Sequence, residues 1–208
     1  MTLIPAPVFL IRIFRGPSSP ELVSTYTRGQ QEAIGNYGIA SVNSCNARWQ
    51  HNPHAYAIVV ESIANQEILG GVRLHLSDPA HPLPMESTLQ RLHPPSHQRL
   101  QARKDQQIAE ICGIWKKPRL QEHRLSRFLT RSAIMQAQQL GVKQLFGFAG
   151  QHSIGLLEEE GFGYDPYFPV DLNLPYPDER YRSKVCYLQV PQQELVLGQP
   201  VKMIRTGV

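Results

Sequence analysis

The stretch from residue 107 to residue 131 gathers the groups best suited to chemistry. Glu110 lies in an otherwise apolar run, QIAEICGIW (107–115). Burial in such a run raises a carboxylate's pKa towards that of a base able to take a proton from an amine. Lys116 and Lys117 follow, and Pro118 opens the turn KPRLQEHRLSRFL (117–129). Arg124, Arg127 and Arg131 then recur at spacings of three and four, which places them on one face of a helix. The first turn of a helix presents N–H groups that have no intrahelical partner and carry partial positive charge. A strand running directly into such a turn, flanked by lysines and arginines, suits a pyrophosphate. The same arginines equally suit a solvated helix face.

Other groups carry less. Cys112 shares the strand with Glu110, but no His–Asp context surrounds it, and a buried strand cysteine is inert. His51 and His54 flank Pro53, and His93 and His97 are separated by Pro94-Pro95, so neither pair reads as two ligands on a regular helix face. There is no HExxH and no Cys/His ligand set, so no metal is expected. The basic residues Lys116, Lys117, Arg119, Arg124, Arg127 and Arg131 are interleaved with Glu122 and lack stacking aromatics beyond Trp115. That is a poor nucleic-acid surface.

The elements that would position these groups follow from periodicity and punctuation. VFLIRIFRG (8–16) reads as a strand. SPELVSTYTRGQQEAIG (19–35) reads as a helix with Ser19 as N-cap and Pro20 at its first position. AYAIVVES (55–62) and EILGGVRLHLS (67–77) form a hairpin. A proline-rich connection covers 78–106, with helical patches such as MESTLQRL. The strand 107–115 leads to a helix ending near Leu140, where Leu125, Phe128, Leu129, Ala133, Ala137 and Leu140 make one apolar stripe. KQLFGFAG (143–150) is a strand, HSIGLLEEEG (152–161) a short helix, GYDPYFPVDLN a strand-like segment, PYPDERYR a loop and SKVCYLQV (183–190) a final strand. The aromatic, proline-rich stretch from Gly163 onwards suits a wall or lid over an acceptor pocket. This order predicts an α/β fold with a mixed, mostly antiparallel central sheet flanked by helices. No linker splits residues 1–208, so a single domain is expected.

The strand–turn–helix around Pro118 resembles the central motif of the GCN5-related N-acetyltransferase superfamily. There a strand is followed by Pro-x-x-Gln/Arg-x-x-Gly-x-Gly/Ala and a helix. Here Gln121 takes the Gln/Arg place, Arg124 the first glycine place and Ser126 the second small place, with Leu129 after it. The resemblance implies that backbone N–H groups of Gln121, Glu122, His123, Arg124, Leu125 and Ser126 bind the pyrophosphate of acyl-coenzyme A. It implies that Ile114 and Trp115 bind the acyl carbonyl and pantetheine amides. Gly161-Phe162 match the Gly-Phe ending of the family's next helix, while Gly150 and Leu157 stand where the family often has an asparagine and a tyrosine. That tyrosine commonly protonates the departing thiolate. Tyr164 and Tyr167 stand nearby, and Tyr164 is the candidate substitute.

The resemblance extends to a branch that makes long-chain N-acyl amino acids and acyl-homoserine-lactone autoinducers. That branch departs from the glycine motif and has a Glu-x-Ser-Arg-like stretch in its fourth strand, where this sequence has Glu110, Cys112 and Gly113. The expected function is N-acyl transfer from acetyl-CoA, a longer acyl-CoA or an acyl carrier protein to an amine of a small molecule, such as an amino acid. Glu110 is the expected base and Tyr164 the expected acid. The alternative is an inactive binding module for CoA or another anion, which the changed glycine and tyrosine places would also suit.

Composition sets the bounds. With 208 residues, 41% hydrophobic and 18% charged, the chain is long enough to bury a core without staples. Its net charge of +4 suits an anionic partner. Cys45, Cys112 and Cys186 show no framework spacing, which points to a reducing compartment. The apolar start is broken by Pro5, Pro7 and Arg12, and no run approaches a membrane span, so a cytoplasmic protein is expected.

Overall fold

The computed structural model describes residues 9–39, 42, 45, 47–117, 123–166, 168–169, 172–192 and 203–205. Among these, strands β1 (Phe9–Arg15), β2 (Ala55–Ser62), β3 (Ile68–Leu76), β4 (Ile108–Lys116), β5 (Gln144–Gly150), β6 (Leu174–Pro175), β7 (Arg182–Gln189) and β8 (Met203–Arg205) form one sheet. The helices are α1 (Pro20–Gly35), α2 (Pro84–Leu92), α3 (Pro94–Gln101), α4 (His123–Gln139) and α5 (Gln151–Glu159). The sheet order is β6-β7-β5-β4-β3-β2-β1-β8. Only β4/β5 and β1/β8 are parallel, as the mixed and mostly antiparallel expectation requires.

Alternation along the strands sorts the core onto two faces. Ile11, Ile13, Ile58, Val60, Ala109, Ile111, Leu145 and Cys186 point towards α4 and α5, meeting Leu125, Leu129, Ala133, Ala137 and Leu157. The intervening residues point the other way. At one end of that second face Phe14, Ala57 and Val59 pack on Val23 and Tyr26 of α1. At its other end Ile108, Phe146 and Val185 pack on Leu83, Met85, Leu89 and Leu100 of the α2–α3 pair.

One expected element is corrected. Among the described residues from Gly163 to Asn173 none belongs to a strand, and Gly163 bridges Tyr187 ahead of the two-residue β6. Pro166 and Pro169 remove donors that a ladder needs. Asp165 is held instead by its buried ion pair with Arg103. The connection 78–106 holds two helices, in keeping with its expected helical patches: α2 covers MESTLQRL and α3 follows it. Pro94 and Pro95 start α3, and the His93 ring caps it by accepting the Ser96 N–H at 3.2 Å. The short β8 beside β1 was not anticipated.

Candidate active site

Strands β4 and β5 pair in parallel only from Ile108–Gln144 to Ile111–Gly147. Beyond that point they part. The β4 arm stays with β3, pairing Cys112 with Arg73, Trp115 with Gly71 and Lys116 with Gly70. The β5 arm stays with β7, pairing Phe148, Ala149 and Gly150 with Val185, Lys184 and Ser183. The result is a fork whose inner edges lack a strand partner among the described residues. Two glycines shape it. Gly147 sits at the vertex, where an added Cβ would lie 2.8 Å from Leu157 Cδ1. Gly113 has φ +62° and supplies the extra β4 residue opposite Gly71–Arg73, a bulge that turns the β4 arm. The Tyr26 hydroxyl of α1 donates to the Gly113 carbonyl at 2.5 Å and holds that arm in place.

Glu110 lies one residue below the vertex, on the face between α1 and α2, and is 2% exposed. Met85 N–H, in the first turn of α2, donates to Glu110 Oε2 at 2.8 Å. Burial pushes the Glu110 carboxyl from 4.5 up to about 8, against smaller downward pulls from the Met85 N–H and Arg73. A carboxylate there is poised as a base near neutral pH. Next to it on the same face stand His75, paired with Glu110, and Arg73, paired with Cys112. The Arg73 guanidinium lies 4.8 Å from the Trp49 ring and 5.5 Å from the Tyr26 ring. Burial pushes the Cys112 thiol up to about 12, which leaves it protonated and no nucleophile.

The expected binding residues fall as follows. Gln121 and Glu122 lie outside the described residues, and His123 is the first residue of α4. Arg124 is exposed in that first turn, whereas Leu125 is buried in the core and Ser126 accepts the Thr130 hydroxyl at its carbonyl. Ile114 packs against the α4 side of the sheet, and Trp115 is buried edge-on to Tyr26 on the other. Arg127 and Arg131 bind Glu160 through their Nε atoms at 2.9 and 2.6 Å and tie α4 to the end of α5. Leu157, in the tyrosine place, packs on the fork vertex and is 3% exposed.

The structure does not bring Tyr164 to Glu110. Tyr164 lies past β7 on the α5 side of the sheet, with Lys184 5.5 Å from its ring. It lines an open depression of about 340 Å³ together with Ala149 of the β5 arm, Ile154 and Arg182. Tyr167 lies outside the described residues. The segment 176–182 reaches the turn that follows α1. The Tyr181 hydroxyl donates to the Tyr37 carbonyl at 2.6 Å, and Arg180 Nη2 donates to the Gly38 carbonyl at 3.0 Å.

His75, Arg73 and Tyr26 were not singled out from sequence. The signal for Arg73 and His75 was present in VRLHL, where two polar residues alternate with apolar ones in a strand that reads as buried; Tyr26, in α1, gave none. Among the described residues no group of three or more His, Cys, Asp or Glu side chains is arranged to hold a metal ion. No helix among them is long and apolar enough to cross a membrane.

No family model and no curated protein sequence matches the chain. Solved structures do. One is FeeM, an N-acyl amino acid synthase from uncultured soil microbes, at 14% identity and a TM-score of 0.66, over 88% of this chain and 95% of that one. Another is BjaI, a CoA-dependent acyl-homoserine lactone synthase determined with SAM and isopentyl-CoA, at 14% identity and a TM-score of 0.69, over 96% and 94%. A third is Tetrahymena GCN5, at 11% identity and a TM-score of 0.56, over 88% and 98%. At these identities the likeness is one of fold. The chain has the GCN5-related N-acetyltransferase fold, and its architecture is shared with autoinducer-synthase-like structures.

Proposed function

We propose that this chain is an N-acyltransferase, moving an acyl group from a coenzyme A or acyl-carrier-protein thioester to the amine of a small molecule such as an amino acid. One observation carries this reading: the β4–β5 fork opens directly above a buried carboxylate with a raised pKa. The shared architecture with FeeM, an N-acyl amino acid synthase, and BjaI, a CoA-dependent acyl-homoserine lactone synthase, supports it.

In this reading the pantetheine arm lies in the fork as a strand would, its amides bonding the free edge of β4 at Ile114 and Trp115. The pyrophosphate sits against residues 121–126, where Arg124 adds charge and the first N–H groups of α4 have no intrahelical acceptor. The amine enters on the face of Glu110. Glu110 takes one proton from nitrogen, directly or through water, and the freed lone pair attacks the thioester carbonyl. The tetrahedral intermediate passes the second nitrogen proton to solvent water and collapses with cleavage of the C–S bond, leaving a neutral amide. Tyr164, on the other face of the fork and in the same depression as Ala149, gives its proton to the thiolate and regains one from solvent.

A thermal-shift series with acetyl-CoA, a long-chain acyl-CoA, free CoA and acyl carrier protein tests the reading, paired with a chromogenic assay for released thiol over a panel of amino acids. A ligand at a hundred times its Kd contributes about 2.7 kcal/mol. For a chain of this size that is a rise of about 5–10 °C in Tm. No shift with any thioester or carrier overturns the reading. Binding without thiol release selects the inactive CoA-binding module instead.

A further inference from the structure

We propose that His75 is a positioning residue for Glu110, its Nε2 accepting, through one bound water, the hydrogen bond of the protonated Glu110 carboxyl. This rests on the reading of Glu110 as the base. His75 and Glu110 are directly paired across β3 and β4. Both side chains project from the same face, and such pairs have Cβ atoms about 4.5–5.5 Å apart. His75 is 4% exposed, and its Nε2 is buried with no hydrogen-bond partner among the described residues. A buried polar atom left so carries an uncompensated desolvation cost, and ordered internal waters commonly join such atoms.

The charges around the pair fix its state. Burial, and then the Arg73 guanidinium, pull His75 well below its ordinary value, so the imidazole is neutral and one ring nitrogen is an acceptor. Glu110 is faced by Arg73 from β3 and by Glu86 and the Met85 N–H from α2. Cys112, next on the same face of β4, keeps its proton. The Met85 N–H takes Glu110 Oε2, so the carboxyl hydrogen belongs on the other oxygen.

During acyl transfer the proton leaves the amine nitrogen and bonds to that oxygen. The new O–H then points towards the water and His75 rather than back at the nitrogen. His75 holds its single proton on Nδ1 throughout and changes charge at no step. The arrangement favours keeping the proton on Glu110 while the amine attacks.

Infrared difference spectra of the whole protein, taken on either side of the Glu110 titration at about 8, test this without a known acceptor. The expected result is a carboxylic-acid C=O band that vanishes in Glu110→Gln, moves to higher wavenumber in His75→Leu and returns towards its original position in His75→Gln. A band that stays in place in His75→Leu overturns the role of His75 and leaves Glu110 as the base. A wild-type protein with no band sensitive to Glu110→Gln overturns the base reading and the His75 role with it. Should His75→Leu fail to fold, histidine ¹⁵N spectra of the wild type decide. The expected ring is protonated on Nδ1 with a hydrogen-bonded Nε2. A ring protonated on Nε2, or an Nε2 resonance free of hydrogen bonding, overturns the role.

Discussion

Replacing Glu110 by Gln should stabilise the folded protein at neutral and alkaline pH while abolishing acyl transfer. The folded protein keeps the Glu110 proton up to about 8, whereas the unfolded chain releases it near the ordinary value of 4.5. Between those values the folded state binds more protons than the unfolded state. Stability contributed by this group is therefore fully present below 4.5 and is lost as pH rises towards 8. At pH 8 the wild type has lost about 4 kcal/mol, and at pH 5 less than about 1 kcal/mol, at about 1.4 kcal/mol per pKa unit. The glutamine is neutral throughout, and its carbonyl can still accept the Met85 N–H, so the variant avoids that loss. Urea denaturation of both proteins at the two pH values measures the effect. The variant's advantage should grow by about 3 kcal/mol from the lower to the higher pH, roughly 6–12 °C in Tm. An equal difference at both pH values, or a wild type that gains on the variant as pH rises, would refute the raised pKa and the base assigned to it.

Gly113→Ala forces a side chain into φ +62° and places its Cβ 2.8 Å from Gln30 Nε2 and 3.0 Å from the Tyr26 hydroxyl. It should cost at least about 2 kcal/mol in urea denaturation and weaken thioester binding, because the β4 arm cannot keep its bulge. Arg124→Glu puts a negative charge in the exposed first turn of α4. It should lower CoA affinity about tenfold by calorimetric titration while leaving Tm unchanged, and an unaltered affinity would place the diphosphate elsewhere. Arg127→Ala and Arg131→Ala should each have little effect on stability, since the other arginine still serves Glu160. The double variant strands a glutamate whose side chain is 5% exposed. It should therefore cost more than the sum of the singles in a denaturation cycle.

The helices and strands that read well from sequence are those where local signals agree. Pro20 after Ser19, the apolar stripe from Leu125 to Ala137 and the β2–β3 hairpin each follow from residues close in the chain. The segment after Gly163 misled because its aromatic residues suggest a strand while its prolines forbid a ladder. Helix α3 is harder to read for the converse reason: Pro94-Pro95 reads as a break, yet prolines are tolerated in a first turn, where an N–H would have no intrahelical acceptor and proline has none to lose. The arginine series shows how spacing under-determines role. Arg124, Arg127 and Arg131 share a periodicity, but Glu160 arrives from the end of α5 and claims two of them.

Sequence alone determined that a glutamate sits in an apolar strand running into a basic turn and a helix. Those are properties of neighbouring residues, and they carried the fold and the candidate base. Only the tertiary structure decided that Glu110 is sealed by the first turn of α2, twenty-five residues away in the chain. Only it decided that His75 faces Glu110 across a strand pair, and that β4 and β5 separate just above them. Desolvation is set by what packs on a group from distant segments. The opening that defines the site comes from strand pairings that cease, and no short stretch of sequence records where a partner is lost.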